Sequence, residues 1–89
     1  MCQIHVIFYI IYFINMSKET RLKLAKRIKE LRRQQGHTQE KLAELSGISY
    51  ENIQKMEGKN PHNPQLDTLE KLAKAFKISL SELLKFINK

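Results

Sequence analysis

Apolar side chains in the chain fall into two kinds of pattern. From residue 17 onward they recur at helical spacing. Leu24, Ile28 and Leu31, joined by Ala25, repeat at i, i+4, i+7 and predict one buried face of a helix from about residue 18 to Gln35, with Gly36 as its stop. Thr38 is placed to N-cap a second short helix through Leu45, with Leu42, Ala43 and Leu45 turned inward. Ser46-Gly47-Ile48 reads as a turn in which Gly47 takes the left-handed conformation that a residue with a Cβ resists. Ser49 caps a third helix, from about Tyr50 to Met56, which has only Ile53 and Met56 to turn inward.

The loop Gly58 to Pro64 holds two Pro, two Asn and one Gly. Asp67 followed by Glu70 resembles a capping box opening a fourth helix through Phe76, with Leu69, Leu72, Ala73 and Phe76 on one face. Ser79-Leu80-Ser81-Glu82 predicts a second capping box and a fifth helix to about Ile87. Phe86 and Ile87, beyond Leu83-Leu84, end the core or begin a dimer contact. Residues 17–89 therefore read as one all-α domain, a compact bundle of five short helices.

The other pattern is the run Ile4 to Ile14, almost wholly apolar, β-branched and aromatic, which suits a strand better than a helix. As a helix of eleven residues it reaches about 16 Å, against the ~30 Å of a bilayer core, and it lacks the preceding positive charge of a signal peptide. Three readings stay open for residues 1–16. They are an extension outside the fold upstream of a start at Met16, a strand pairing with a second subunit, or a shallow membrane anchor. The first is preferred, because Ser17 directly follows Met16 as a helix cap, and a membrane role ranks last.

Charge adds direction. Sixteen Lys+Arg against nine Asp+Glu give a net +7, and residues 18–33 alone hold eight basic side chains against Glu19 and Glu30. Such a balance favours a polyanion as partner. A lone Cys2 fits a reducing, cytoplasmic setting and leaves stability to an apolar core. His5, His37 and His62 are far apart with no Cys or carboxylate at ligand spacing, so no metal or other cofactor is expected. No nucleophile beside a base, carboxylate pair or phosphate-cradling glycine loop is present, and no effector pocket is evident, so an enzyme is not expected.

Most information lies between Gln39 and Met56. Two helices joined by so short a turn must cross steeply, and Ala43 is small where the third helix approaches. With Ile53 and Met56 inward, Tyr50, Glu51, Asn52, Gln54 and Lys55 cover the exposed side of that helix, a set of hydrogen-bonding groups suited to base edges. Arg32, Thr38-Gln39, Leu42-Ala43, Gly47-Ile48-Ser49, Ile53, Glu57, Pro64, Leu69, Ala73 and Ser79 to Leu84 stand in one register. In that register the chain resembles the lambda-repressor-like helix-turn-helix family, the Cro and phage-repressor (XRE) type of DNA-binding domain, over about residues 20–85.

The resemblance implies a sequence-specific regulator of transcription, most simply a repressor occupying its operator as a homodimer, with the third helix in the major groove of double-stranded DNA. By position, Tyr50, Glu51, Asn52 and Lys55 would contact bases: Lys55 a guanine, Glu51 a cytosine amino group, Tyr50 a thymine methyl. Gln39, Thr38, Gln54, Lys59, Asn60 and His62 would contact phosphates. Arg32 and Glu57 would form a structural ion pair. Two features depart from the family pattern. Glu57 meets Gly58 directly with a longer loop after it, and Glu51 points an acid at a polyanion, where an i,i+4 pair with Lys55 is its structural alternative. The contrasting function is a protein-interaction module of the same fold, an antitoxin or accessory subunit.

Overall fold

The computed structural model describes residues 17–85. They form five helices, α1 (Lys18–Gln34), α2 (Gln39–Ser46), α3 (Tyr50–Met56), α4 (Leu66–Phe76) and α5 (Leu80–Leu83), and no strand among the described residues. The readings of the Ile4–Ile14 run, and of Phe86 and Ile87, lie outside the described residues.

Four of the five starts are capped by a hydroxyl. Ser17, Thr38, Ser49 and Ser79 accept from the backbone N–H of Thr20, Lys41, Asn52 and Glu82, at 3.0–3.2 Å. Each bond satisfies a donor that the first helical turn leaves without a partner. Helix α4 departs from expectation. It starts at Leu66 after Gln65, whose side chain makes no cap bond, and Asp67 lies inside the first turn. Asp67 thus meets the positive helix end as a charge rather than as a cap.

Two helix ends close alike. After α1, Gly36 N–H donates to Arg33 O (3.0 Å) and His37 N–H to Arg32 O (3.0 Å), with Gly36 at φ 72°. After α4, Lys77 N–H donates to Lys74 O (3.1 Å) and Ile78 N–H to Ala73 O (3.0 Å), with Lys77 at φ 60°. Both are left-handed closures that return the chain and satisfy terminal carbonyls.

The core is continuous through all five helices and the turn before α3. Leu24, Ile28 and Leu31 of α1 pack with Leu42, Ile48, Ile53, Leu69, Leu72, Ala73, Phe76, Leu83 and Leu84. Leu45, expected inward, is 45% exposed, and Ser46 takes the buried position instead. A small side chain fits where α2 closes onto the turn. Its hydroxyl accepts from Ile48 N–H (3.2 Å) and donates to Ala43 O (3.4 Å). Helix α5 stops at Leu83, with Leu84 as its C-cap, short of the expected end near Ile87. Two long-range side chains bind α1 to the far end of the fold: Gln35 Nε2 donates to Phe76 O (2.8 Å) and Arg27 Nη2 to Glu82 O (2.9 Å).

Candidate nucleic-acid interface

The turn between α2 and α3 is set by backbone conformation. Gly47 sits at φ 75°, its N–H donating to Ala43 O at 2.9 Å, and a Cβ there would meet nothing within 4 Å. The requirement for glycine is therefore the left-handed backbone itself, not space. Ile48 follows into the core, and Ser49 caps α3 immediately.

Helix α3 is anchored by one fully buried residue, Ile53, and half-buried Met56. Its other side chains, Tyr50, Glu51, Asn52, Gln54 and Lys55, are all exposed. The Glu51–Lys55 pair offered by i,i+4 spacing is not formed: among the described residues neither side chain has an ion pair or hydrogen bond. All four residues expected to contact bases thus stand on one open helix, unpaired with their neighbours.

Below this surface lies a buried polar joint. The Glu57 carboxylate, 1% exposed, accepts from Arg32 Nε (2.8 Å) and Nη2 (3.0 Å) and from Gln39 Nε2 (3.2 Å), while Arg32 Nη1 donates to His37 O (2.8 Å). The Arg32–Glu57 ion pair implied by the resemblance is formed. It ties the end of α1 to the end of α3 and, through Gln39, to the start of α2. A bidentate arginine with a third donor satisfies the carboxylate, as a charge removed from water requires.

Gln39 therefore faces two ways. One amide N–H is held by Glu57, leaving the second amide hydrogen uncommitted. Its backbone N–H also precedes the first intrahelical bond, from Leu42 N–H to Thr38 O (3.0 Å). Free N–H groups at a positive helix end suit a phosphate oxygen. Thr38 beside it is exposed, its oxygen engaged as the cap.

The loop after α3 divides the remaining expected phosphate contacts. His62, with Asn63, lines an open groove of about 300 Å³ together with Asn52 and Lys55 of α3 and Thr68 and Lys71 of α4. Sequence reasoning missed Thr68 and Lys71. Their spacing of three makes them neighbours on the surface of α4, Lys71 exposed and Thr68 half-buried at the edge of its core face. Asn60 and His62 line a separate cleft toward α1. Lys59 and Gln54 are exposed and line neither hollow.

A compact all-α domain in which a capped helix, a left-handed glycine turn and a polar-faced helix follow one another is the architecture of a helix-turn-helix protein. A family profile described as Helix-turn-helix matches residues 28–83, more than half of the chain. The chain belongs to this family. It is similar to the HTH-type transcriptional regulator PuuR of Escherichia coli (strain K12) and of Shigella flexneri, 44% identical in each case over 57 residues. That stretch is 64% of this chain and 30% of each of those proteins, so the chain matches about a third of the length of these curated relatives. Among solved structures it is similar to the restriction-modification controller protein C.AhdI from Aeromonas hydrophila. The identity is 36% and the TM-score 0.66, covering 71% of this chain and 94% of that one. No helix among the described residues is long and apolar enough to cross a membrane.

Proposed function

We propose that this chain is a sequence-specific DNA-binding transcription regulator that acts by occupying an operator, as a homodimer in the cytoplasm, by binding rather than catalysis. The observation that carries the reading is α3 itself, which spends Ile53 and Met56 on the core and holds Tyr50, Glu51, Asn52 and Lys55 outward without internal partners. A helix of this kind fits the major groove, where Lys55 donates to guanine, Glu51 accepts from cytosine and Tyr50 packs on a thymine methyl. Gln39 and Thr38 at the start of α2 meet one phosphate, while Gln54, Lys59, Asn60 and His62 follow the backbone. The names of the relatives, a transcriptional regulator and a restriction-modification controller, support the same reading.

Selection of duplex DNA from a random pool by the chain tests it. A recovered pseudo-palindromic motif is expected, with affinity falling steeply between about 50 and 200 mM salt at a log–log slope near −0.9 per phosphate contacted. Recovery of no motif overturns the reading and leaves the fold to protein recognition.

A further inference from the structure

His62 differs in kind from the other side chains assigned to phosphates. Gln39, Thr38, Gln54 and Asn60 carry no charge and Lys59 carries a permanent one, whereas an imidazole is the side chain that exchanges its charge between about pH 5 and 8. Its place in the fold makes that exchange matter. Buried Pro61 and half-buried Pro64 fix the loop to the body on either side, and His62 between them is exposed. Its side chain has no hydrogen bond or ion pair among the described residues.

Both hollows beside the loop are lined by His62. One holds Lys55 of α3 and Lys71 of α4, the other Lys18 and Arg21 of α1. Every other charged side chain lining them is thus a cation, and among the described residues no carboxylate lines either. The acids nearest in sequence are Glu57, buried against Arg32 and Gln39, and Asp67 in the first turn of α4, which lines neither hollow; nor does Lys59. A phosphate drawn to this surface therefore meets the ring with no carboxylate to compete for its proton. His37 supplies the contrast. It is half-buried after α1, its carbonyl accepts from Arg32 Nη1, and it lines neither hollow.

We propose that operator binding by this chain is linked to a proton on His62, the imidazolium holding a backbone phosphate that the neutral ring holds less well, so that affinity falls as pH rises. The inference rests on the DNA-binding reading above and adds to it a dependence on pH. A neutral ring gives a phosphate an ordinary hydrogen bond; the imidazolium gives a charge-assisted one and displaces a further counterion. The complex then holds more protons than its separated parts, so raising the pH favours dissociation. One unit charge about 4 Å from a phosphate oxygen in water amounts to about fivefold in affinity for each ring engaged.

The test compares the wild-type chain with His62→Gln, His62→Arg and His37→Gln. Thermal melting between pH 5.5 and 8 first establishes that all four are folded. Each is then titrated with the selected operator across that range at fixed ionic strength, and over a range of salt at both ends of it. Wild type and His37→Gln are expected to weaken by about fivefold per engaged ring from pH 5.5 to 8, with a log–log salt slope shallower by about 0.9 per ring at the higher pH. His62→Gln should stay at the weak level and His62→Arg at the tight level, both independent of pH, with base preference the same in all four. The arginine variant separates charge from structure, since a merely structural histidine would not be replaced by it. Wild-type affinity that does not change with pH, or a His62→Gln chain that keeps the wild-type pH dependence, removes the linkage while leaving the DNA-binding reading intact. A wild-type chain that binds no duplex at any pH removes both.

Discussion

The body formed by α1, α4 and α5 and the pair formed by α2 and α3 are held together by different means. The body buries Leu24, Ile28, Leu31, Leu69, Leu72, Phe76, Leu83 and Leu84, most of them fully. In the pair, α2 contributes Leu42, the turn Ile48 and α3 Ile53 to that core. Polar devices make up the difference: the Thr38 and Ser49 caps, the left-handed Gly47, the Ser46 hydroxyl under the turn and the Glu57 carboxylate between three donors. A helix that must present one side chain after another to an outside partner has few left for the core. Its position is then set by hydrogen bonds and backbone conformation at its ends.

The largest effect should come from the polar joint. Glu57→Ala leaves Arg32 desolvated without its acid and is expected to cost about 3–5 kcal/mol in chemical denaturation, comparable with the ~2–5 kcal/mol of Leu72→Ala in the body. A cost below about 1 kcal/mol for Glu57→Ala would collapse the contrast, since the pair would then need no polar anchor.

On DNA the contrast reverses. Lys55→Ala is expected to leave the melting temperature unchanged and to lower discrimination at one base position by about 1–3 kcal/mol, read by competition between operator variants. Gln39→Ala should instead weaken all sequences alike. An unchanged site preference for Lys55→Ala would show that α3 is not the reader.

Smaller again, Gly47→Ala isolates backbone conformation, because no atom obstructs the added Cβ. A loss of about 1–2 kcal/mol is expected from the left-handed φ alone. A melting temperature equal to wild type would contradict the turn argument. The smallest effect is a gain. Lys77 holds in the body the conformation that Gly36 and Gly47 hold elsewhere, so Lys77→Gly should raise stability by about 0.5–1 kcal/mol. A destabilised variant would mean that the Lys77 side chain contributes more than its backbone strain removes.

The contrast also explains how the chain can be read. Helix starts at Thr38, Ser49 and Ser79, the stops at Gly36 and Gly47 and the apolar faces of α1 and α4 were all legible, because each depends on residues within four positions of one another. The Asp67 to Glu70 spacing misled for the same reason. It satisfies the local pattern of a capping box, yet α4 begins earlier, at Leu66, with its core residues in place by Leu69. Leu45 is the apolar residue of the two, yet helical spacing puts Ser46, not Leu45, on the side of Leu42 and Ala43. The closure of α2 onto the turn makes the smaller side chain the one that fits.

Periodicity, caps and turn glycines, written into the order of residues, thus determined an all-α domain with a polar-faced third helix. Packing decided which distant groups meet: Gln39 with the Glu57 carboxylate, Gln35 with Phe76 O, Arg27 with Glu82 O, Thr68 and Lys71 in one groove with Lys55, and Lys18 and Arg21 in one cleft with His62. The physical reason is one of range. Local backbone preferences act over a single turn of helix, whereas contacts across 18 to 55 residues exist only after the apolar faces have closed and fixed where each helix end points.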